Sequence, residues 1–340
     1  MSDRGTDDRD GPGEGRPGES DAPADESDDR AGATGDPDRY DVAVVGGGPA
    51  GCSAAVFAAR YGLDAVLFDR GRSSIRQCAY LENYLGFPAG VGIETFYELM
   101  HDHVTTAGCE LVADLVASVT REGDGERFVV ETEGDRRVSA TRVVAATRYD
   151  GDYLRALGDG TLLESAAVEG DDAEESDDEA RERLDRSAID SDGTTPIDGL
   201  YVASPSDEAD RQAVVAAGRG ARVGLAVVRD ARRAAGYPEP VADHYDWVRR
   251  EAARDDEWAD RNRWREYYDG RRPEDADVDD ARWETLRERD IDRRFGTYLS
   301  DDEIAARTER GQRRLLDHID DELVVERARE IESDPVEASR

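Results

Sequence analysis

The distribution of apolar residues divides the chain into three stretches. Residues 1–39 contain almost no large apolar side chain and are rich in Asp, Gly, Pro and Ser. Because such a segment buries too little surface to offset its ordering entropy, we predict a disordered acidic tail over 1–39. Residues 40–237 alternate between short apolar runs and helical patterns. Residues 238–340 are rich in Arg and acidic residues, are mostly helical in pattern, and contain all four Trp residues.

The first apolar run opens a βαβ unit. Residues 41–45 form a β-branched run typical of a buried parallel strand, and a glycine-rich turn follows directly. Small residues over 52–61 predict a helix that ends at Gly62, and residues 63–69 predict a second strand. This succession of strand, helix and strand indicates an α/β fold with a parallel Rossmann sheet.

Further elements follow from weaker patterns. Apolar positions at helical spacing predict one helix over 91–107 and another over 209–235. Ser300 and Glu303 have the spacing of a capping box, which opens a helix in the C-terminal stretch. The remaining predictions are strands over 111–119, 127–133, 137–146 and 199–204, and an acid-rich loop at about 158–192 with a short solvated helix over 177–184.

The glycines after the first strand have the spacing Gly46-x-Gly48-x-x-Gly51, and they open a helix. The first glycine allows a tight turn, the second lets the backbone approach a pyrophosphate, and the third lets helix and strand pack closely. The N–H groups and the positive dipole end of the helix favour the phosphate. Asp69 ends the second strand, where a carboxylate accepts hydrogen bonds from an adenosine ribose. Because an Asp there disfavours a 2′-phosphate, we predict FAD or NAD rather than NADP.

The charge of the chain indicates the kind of solvent in which the protein works. The chain has 45 basic and 81 acidic residues, a net charge of −36, and none of its 340 residues is Lys. Three interpretations are a disordered acidic protein, a polyanion with a basic partner, and a cytoplasmic protein of a halophile. Acidic residues along the whole chain, without Lys, favour the third, since molar salt shortens the Debye length to about 3 Å and screens the self-repulsion.

Several classes of protein are excluded. No apolar run approaches the roughly 20 residues of a membrane-spanning helix. The start of the chain lacks the apolar core of a secretory signal, so none is expected. The negative charge argues against nucleic-acid binding, and three cysteines cannot build a disulfide scaffold. No zinc spacing occurs, and His101 and His103 point in different directions on the predicted helix. We therefore predict a solvated helix face there and no metal site.

Four segments resemble, in the same order, motifs of the thioredoxin reductase-like, FAD-dependent pyridine nucleotide-disulfide oxidoreductases. The glycine turn 46–51 resembles the FAD fingerprint of that family. Residues 82–88, Glu-Asn-Tyr-Leu-Gly-Phe-Pro, are similar to its E-N-[FYW]-P-G-F-P loop, with Leu in place of a proline. Residues 94–112 resemble its ELM…GAEI segment, and residues 199–203 with 211–213 resemble its closing motif, GLF-A-G-D…RQA.

The resemblance extends over residues 40–149 and 197–234 and implies where an FAD would bind. By this resemblance the glycine turn holds the pyrophosphate, Asp69 holds the adenosine ribose, and Asn83 lies beside the flavin. Residues 211–213 approach the isoalloxazine at a helix N-terminus, whose dipole can stabilise a reduced, anionic flavin. The implied cofactor-binding residues are Gly46, Gly48, Pro49, Ala50, Gly51, Asp69, Asn83, Arg211, Gln212 and Ala213.

The chain also departs from the pattern of that family. No second glycine fingerprint occurs between residues 147 and 197, so the acidic loop is expected to replace the NADPH domain. The redox Cys-x-x-Cys is absent. Cys52 and Cys109 are expected to be structural, whereas Cys78, five residues before Asn83, is either a redox candidate or a plain loop residue.

Two short motifs are altered. The ATG of the family is Ala146-Thr147-Arg148 in this chain, and its GD, whose acid contacts the ribityl–phosphate region of FAD, is Ser204-Pro205. Asp207 is a candidate substitute for the missing acid. These changes leave open a protein that has lost its flavin contacts.

We therefore expect a tail over 1–39, an FAD- or dinucleotide-binding domain over 40–237, and a helical C-terminal extension over 238–340. The favoured function is an FAD-dependent oxidoreductase of haloarchaeal type that resembles thioredoxin reductase but lacks the dithiol centre and the NADPH domain. Its electrons come from a partner protein such as a ferredoxin or from NAD(P)H. The alternatives are a non-catalytic dinucleotide-binding or interaction protein that has lost its flavin contacts, and a Rossmann enzyme that uses NAD alone. The alternative cofactors are NAD or none. Expected partners are a small molecule or a redox protein, with no nucleic acid and no membrane. The C-terminal helices are expected to pack on the flavin domain or to form a homodimer.

Overall fold

The computed structural model describes residues 37–333 apart from 124, 149, 159–161, 167–180 and 205–210. In chain order the strands are β1 (Asp38–Val45), β2 (Ala65–Phe68), β3 (Tyr80–Leu81), β4 (Val91–Gly92), β5 (Glu110–Val112), β6 (Val116–Arg121), β7 (Phe128–Thr132), β8 (Arg137–Ala145), β9 (Leu163–Ala166), β10 (Arg181–Leu184), β11 (Leu200–Val202), β12 (Arg249–Arg250) and β13 (Tyr298–Leu299). The helices are α1 (Pro49–Tyr61), α2 (Ile93–Thr106), α3 (Ala213–Ala234), α4 (Asp256–Ala259), α5 (Arg261–Asp269), α6 (Asp280–Phe295), α7 (Asp301–Leu316) and α8 (Asp321–Ser333). Nearly all of the predicted tail, and also Pro205 and Asp207, lie outside the described residues.

A seven-stranded sheet in the order β5-β2-β1-β8-β7-β6 forms the centre, with β11 also paired to β8. The strands β5, β2, β1, β8 and β11 run parallel, whereas β6, β7 and β8 form an antiparallel meander. Two strands share one side of β8: β7 pairs with its first half, where Phe128 is opposite Ala140, and β11 pairs with its second half, where Leu200 is opposite Val143. The predicted α/β class with a Rossmann-type sheet is confirmed, although β6 and β7 join the sheet through antiparallel pairs.

Two local predictions are wrong. The strand predicted over 111–119 is two strands, β5 and β6, which lie at opposite edges of the sheet. The chain turns between them at Asp114, whose carboxylate accepts hydrogen bonds from the N–H groups of Leu115 (2.7 Å) and Gly134 (3.2 Å). Of the short helix predicted over 177–184, the described residues 181–184 form β10, antiparallel to β9. Pairing with β9 satisfies backbone groups that a single isolated helical turn leaves open.

The two faces of the sheet have separate cores. Val42 and Val44 of β1 face α1 and α3, whereas Ala43 and Val45 face the opposite core beneath the meander. The helices α1 and α3 cross at glycines, because a Cβ on Gly220 would lie 1.9 Å from the Ala50 carbonyl oxygen. This close crossing brings the beginnings of both helices to the carboxyl ends of the parallel strands, where ligands bind in open α/β sheets.

The chain after α3 forms its own apolar cluster. Its buried members are Tyr237, Val241, Trp264, Tyr268, Trp283, Leu286 and Ile291. Beyond it, the predicted capping box is confirmed, since Ser300 Oγ accepts the Glu303 N–H (3.3 Å) and the Glu303 carboxylate accepts the Ser300 N–H (2.8 Å). The helices α7 and α8 bury no residue. None of the helices in the described part of the chain is long and apolar enough to cross a membrane.

Candidate functional site

Two adjoining cavities form a groove along the carboxyl ends of the parallel strands. The first cavity, of about 510 Å³, contains the glycine turn and Asp69. The second cavity, of about 570 Å³, contains Asn83 and the beginning of α3. Six residues line both cavities, namely Gly48, Ser73, Ser74, Gln77, Ala146 and Arg148. The groove therefore has the two-part form that an extended dinucleotide needs.

The glycine turn brings backbone directly to this groove. Gly46 has a φ of +116° and donates its N–H to the Phe68 carbonyl oxygen (2.8 Å), which joins the ends of β1 and β2. A Cβ on Gly51 would lie 1.8 Å from the Gly46 carbonyl oxygen, so only glycine permits the turn to close onto α1. Gly48 caps α1 and Pro49 is its first residue, where the missing N–H of proline costs no hydrogen bond. Open N–H groups and a positive helix end at this point suit a phosphate.

Asp69 lies in the first cavity and is held by three neighbours. The side chain is buried, and its carboxylate accepts hydrogen bonds from the Tyr97 hydroxyl (2.5 Å) and the Gly71 N–H (3.1 Å). The Nε2 atom of His101 lies 3.5 Å from the same carboxylate and 3.2 Å from the Gly47 carbonyl oxygen. Burial, and then the hydrogen bond to Asp69, raise the pKa of Tyr97 far above its ordinary value, so this hydroxyl remains a donor.

Sequence reasoning missed Tyr97 and His101. The prediction of a solvated helix face is wrong for His101, which packs its ring against Tyr97 with centroids 4.4 Å apart. The two residues are four positions apart on α2, so they share one helix face. That spacing was the available signal. Their partners, however, lie far away in the chain: Tyr97 contacts Asp69 and His101 contacts the Gly47 carbonyl oxygen, and only tertiary structure brings these residues close.

The second cavity gathers the remaining predicted residues. Asn83 Nδ2 donates to Gln212 Oε1 (3.0 Å), although the two residues are 129 positions apart in the chain. Gln212 is the N-cap of α3 and Ala213 is its first residue. Arg211 also lines this cavity. A helix of 22 residues thus begins at the cavity, and its positive end favours negative charge there.

The three cysteines are separate and differ in environment. Cys78 is exposed and lines the second cavity. Cys52 and Cys109 are buried, and burial raises the pKa of both thiols, that of Cys109 to about 12. Because the thiolate is the reactive form, these two thiols are unreactive at neutral pH, whereas Cys78 is open to the groove.

The residues present fit a flavin dinucleotide. The glycine turn leaves no room for a Cβ, Asp69 lines the first cavity, and a second helix begins at the far cavity. In addition, Ser204 lines the second cavity with a buried Oγ that has no hydrogen-bond partner among the described residues. A ligand hydroxyl would satisfy this atom. Groups of three or more His, Cys, Asp or Glu that could hold a metal are absent from the described part of the chain.

Acidic side chains are in excess around the first cavity. It is lined by five carboxylates and three guanidinium groups. They belong to Asp69, Asp114, Glu133, Asp150 and Asp152, and to Arg70, Arg72 and Arg148. The glycine turn therefore favours a phosphate at a place where the longer-range field opposes one.

Comparison with known proteins gives a consistent result for the first half of the groove. Residues 40–159 match the family model described as pyridine nucleotide-disulphide oxidoreductase. The thioredoxin reductase of Listeria monocytogenes is 29% identical over 126 residues, which cover 36% of this chain and 38% of the relative. That of Bacillus subtilis is 31% identical over 109 residues, covering 32% and 33%. This chain thus spans less than two fifths of the length of these curated relatives. Among solved structures, a thioredoxin reductase from Gloeobacter violaceus aligns with a TM-score of 0.45 and 18% identity, over 62% of this chain and 98% of that one.

Proposed function

Since residues 40–159 match the model of the pyridine nucleotide-disulphide oxidoreductase family, we propose that the chain is an FAD-dependent oxidoreductase. In this proposal it resembles thioredoxin reductase but has neither the dithiol centre nor the NADPH domain of that enzyme. The observation that supports it most is the two-part groove, with Asp69 in one cavity and the Asn83–Gln212 pair in the other.

Each part of the groove has a role in this proposal. The turn at Gly46 and Gly48 and the start of α1 hold the pyrophosphate, and Asp69 accepts hydrogen bonds from the adenosine ribose. Asn83 and Gln212 orient the isoalloxazine in the second cavity. When bound, FAD would supply the hydride and electron chemistry. The positive end of α3 favours negative charge in this cavity by about 0.3–1 kcal/mol.

In this proposal the second cavity is where an electron donor reaches the flavin. We propose that electrons come from a redox protein such as a ferredoxin, or from NAD(P)H bound without a dedicated domain. Cys78 is the one thiol with access to this cavity among the described residues, so it is the candidate for a redox role. A Cys78→Ser variant with unchanged flavin turnover would remove that role.

We further propose that the protein works in the salt-rich cytoplasm of a halophile. The net charge of −36 and the absence of Lys support this. At molar salt, where the Debye length is about 3 Å, the carboxylates of the first cavity no longer repel an incoming diphosphate.

A second candidate function is a dinucleotide-binding or interaction protein without catalysis. The excess of five carboxylates over three guanidinium groups around the first cavity favours this candidate, because it weakens binding of an anionic cofactor.

The visible spectrum of protein purified at about 2 M KCl decides between the two. We expect the protein to elute with absorbance at about 450 nm, as for a bound flavin. A colourless protein that cannot be reconstituted with FAD overturns the proposal. Binding of NAD by such a protein would point to a nicotinamide enzyme or to a non-catalytic dinucleotide-binding protein, and binding of neither would point to an interaction protein.

A further inference from the structure

Arg148 has a backbone conformation that side chains avoid. Its φ is +69°, in the left-handed region, which costs a residue with a Cβ on the order of 1 kcal/mol. The neighbouring loop fixes this conformation, because Thr147 Oγ1 donates to the Asp150 carbonyl oxygen (2.7 Å) and lies 3.1 Å from the Tyr153 hydroxyl. Such strain persists where the surrounding structure enforces it, and it is concentrated at functional sites.

The strained residue Arg148 lies where the two cavities of the groove meet. Among the described arginines, Arg70 and Arg72 line the first cavity and Arg211 lines the second. Arg148 is the one that lines both. It therefore carries its charge at the junction of the two cavities, together with Gly48 at the start of α1. An extended dinucleotide that occupies both cavities has its diphosphate at this junction.

Ser204 adds a second, independent observation. It is 4% exposed, lines the second cavity, and its Oγ has no hydrogen-bond partner among the described residues. A buried hydroxyl without a partner costs about 1–3 kcal/mol. The N–H of the preceding residue, Ala203, donates to the Ala145 carbonyl oxygen (2.8 Å), so Ser204 and Arg148 follow neighbouring strand ends.

One ligand explains both features. A diphosphate would pair with a guanidinium at the junction, and a polyhydroxyl chain attached to it would reach the buried hydroxyl in the second cavity. We propose that Arg148 binds the diphosphate of FAD and that Ser204 hydrogen-bonds its ribityl chain. This inference rests on the proposed function, because it assumes that FAD is the ligand of the groove.

Three soluble probes separate the two contacts. FAD carries both groups, ADP carries the diphosphate without a ribityl chain, and riboflavin carries the ribityl chain without phosphate. Affinities are measured by flavin fluorescence, and for ADP by competition against FAD, at one fixed high salt concentration. The variants are Arg148→Gln and Ser204→Ala, with Arg310→Gln on the exposed α7 as the control for a lost charge.

We expect Arg148→Gln to weaken FAD and ADP by at least about tenfold and to leave riboflavin unchanged. We expect Ser204→Ala to weaken FAD and riboflavin by about three- to tenfold and to leave ADP unchanged. Arg310→Gln should alter none of the three. If either groove variant binds all three probes like the natural protein, the contact assigned to it is wrong.

Thermal unfolding without cofactor gives a readout that a merely structural role would not produce. Arg148→Gly relieves the strained backbone and Ser204→Ala removes the unpartnered hydroxyl, so both apoproteins should melt at or above the temperature of the natural protein. Both should nevertheless bind FAD more weakly. Lower melting temperatures in both apoproteins would mean that these residues support the fold rather than the ligand.

The outcome also distinguishes this inference from the proposed function. If the natural protein binds FAD but the variants bind it equally well, only the roles of Arg148 and Ser204 fail. If the natural protein does not bind FAD at all, the proposed function fails first and takes these roles with it.

Discussion

Arg232 and Asp290 form a buried, two-bond ion pair between α3 and α6. Arg232 Nη1 donates to Asp290 Oδ1 (2.7 Å) and Nη2 donates to Oδ2 (3.0 Å), and both residues are at most 5% exposed. The Tyr268 hydroxyl donates to the same carboxylate, and Arg232 also donates to the Val241 carbonyl oxygen (2.8 Å). The helix that begins at the second cavity is thus fastened at its other end to the C-terminal cluster.

Breaking this pair on one side should be strongly destabilising. We expect Asp290→Ala to lower the free energy of unfolding by about 3–5 kcal/mol, because it leaves the Arg232 charge buried without a counter-ion. The double variant Arg232→Met with Asp290→Leu should recover most of that loss, since burying two apolar groups avoids the desolvation of charges. Denaturant unfolding at fixed salt measures both. Glu309→Gln, which breaks the exposed ion pair with Arg313, is the control. If Asp290→Ala lowers the free energy of unfolding by less than about 1 kcal/mol, as expected for this exposed pair, the prediction is contradicted.

The docking of α7 on α2 should depend on one carboxylate. Hydrogen bonds from Arg314 lower the pKa of Asp102 to about 2, against the opposing effect of burial, and His318 adds to the lowering with its Nε2 3.0 Å from Oδ2. The pKa in the docked state is below the ordinary value of about 3.9. The stabilisation is therefore complete above about pH 4 and disappears as the pH falls through about 2.

Asp102→Asn imitates the protonated carboxyl group at neutral pH. We expect α7 of this variant to be cleaved faster by trypsin, at arginines such as Arg313 and Arg314. Asp317→Asn serves as the control, because Asp317 is exposed and lies 3.5 Å from Arg314. In the natural protein, hydrogen exchange within α7 should rise between about pH 4 and pH 2. Equal cleavage rates in the two variants would show that α7 is held by other contacts.

Tyr97 should act by positioning Asp69. Tyr97→Phe removes the hydroxyl that holds the buried carboxylate, so we expect binding of FAD and ADP to weaken by about three- to tenfold, with riboflavin unaffected. Tyr237→Phe is a matched control, since Tyr237 is also buried but lies in the C-terminal cluster, where its hydroxyl donates to the Leu286 carbonyl oxygen (3.2 Å). Loss of riboflavin binding in Tyr97→Phe would instead indicate a general disturbance of the groove.

Salt should strengthen cofactor binding rather than weaken it. The chain has a net charge of −36, and its first cavity has more carboxylates than guanidinium groups. An anionic ligand that enters this cavity is therefore repelled at low ionic strength. Raising the salt from about 0.1 M to about 1 M shortens the Debye length from about 10 Å to about 3 Å and removes this repulsion. The dissociation constant for FAD should therefore fall over this range. A constant that rises with salt would mean that attractive contacts at the glycine turn dominate.

Short-range sequence patterns predict the elements of this fold that depend on neighbouring residues. The βαβ unit over 41–69 was predictable, because strand, turn and helix signals follow one another within about 30 residues. The division of 111–119 into β5 and β6 was not, since it depends on which distant strands each half joins. Strand pairing is a tertiary choice that a single apolar run does not contain.

The site shows the same limit. Asn83 and Gln212 were named together only because both belong to motifs of one family, and no spacing in the chain predicts their hydrogen bond. Arg148 and Ser204 were noticed as departures from those motifs. Their strained backbone and unpartnered hydroxyl, which suggest that they take part in binding, are visible only in three dimensions.

The pairing of β8 with β11 has a consequence for how the groove is built. The two strands are hydrogen-bonded neighbours, yet residues 146–199 lie between them in the chain. The glycine turn and Asp69 come from the segment before this stretch, and Gln212 comes from the segment after it. The groove therefore lies between two segments of the chain, and a ligand that fills both cavities contacts both segments. If FAD fills both cavities as proposed, two fragments cut within that stretch should reassemble when FAD is added, with bound flavin absorbance as the measure.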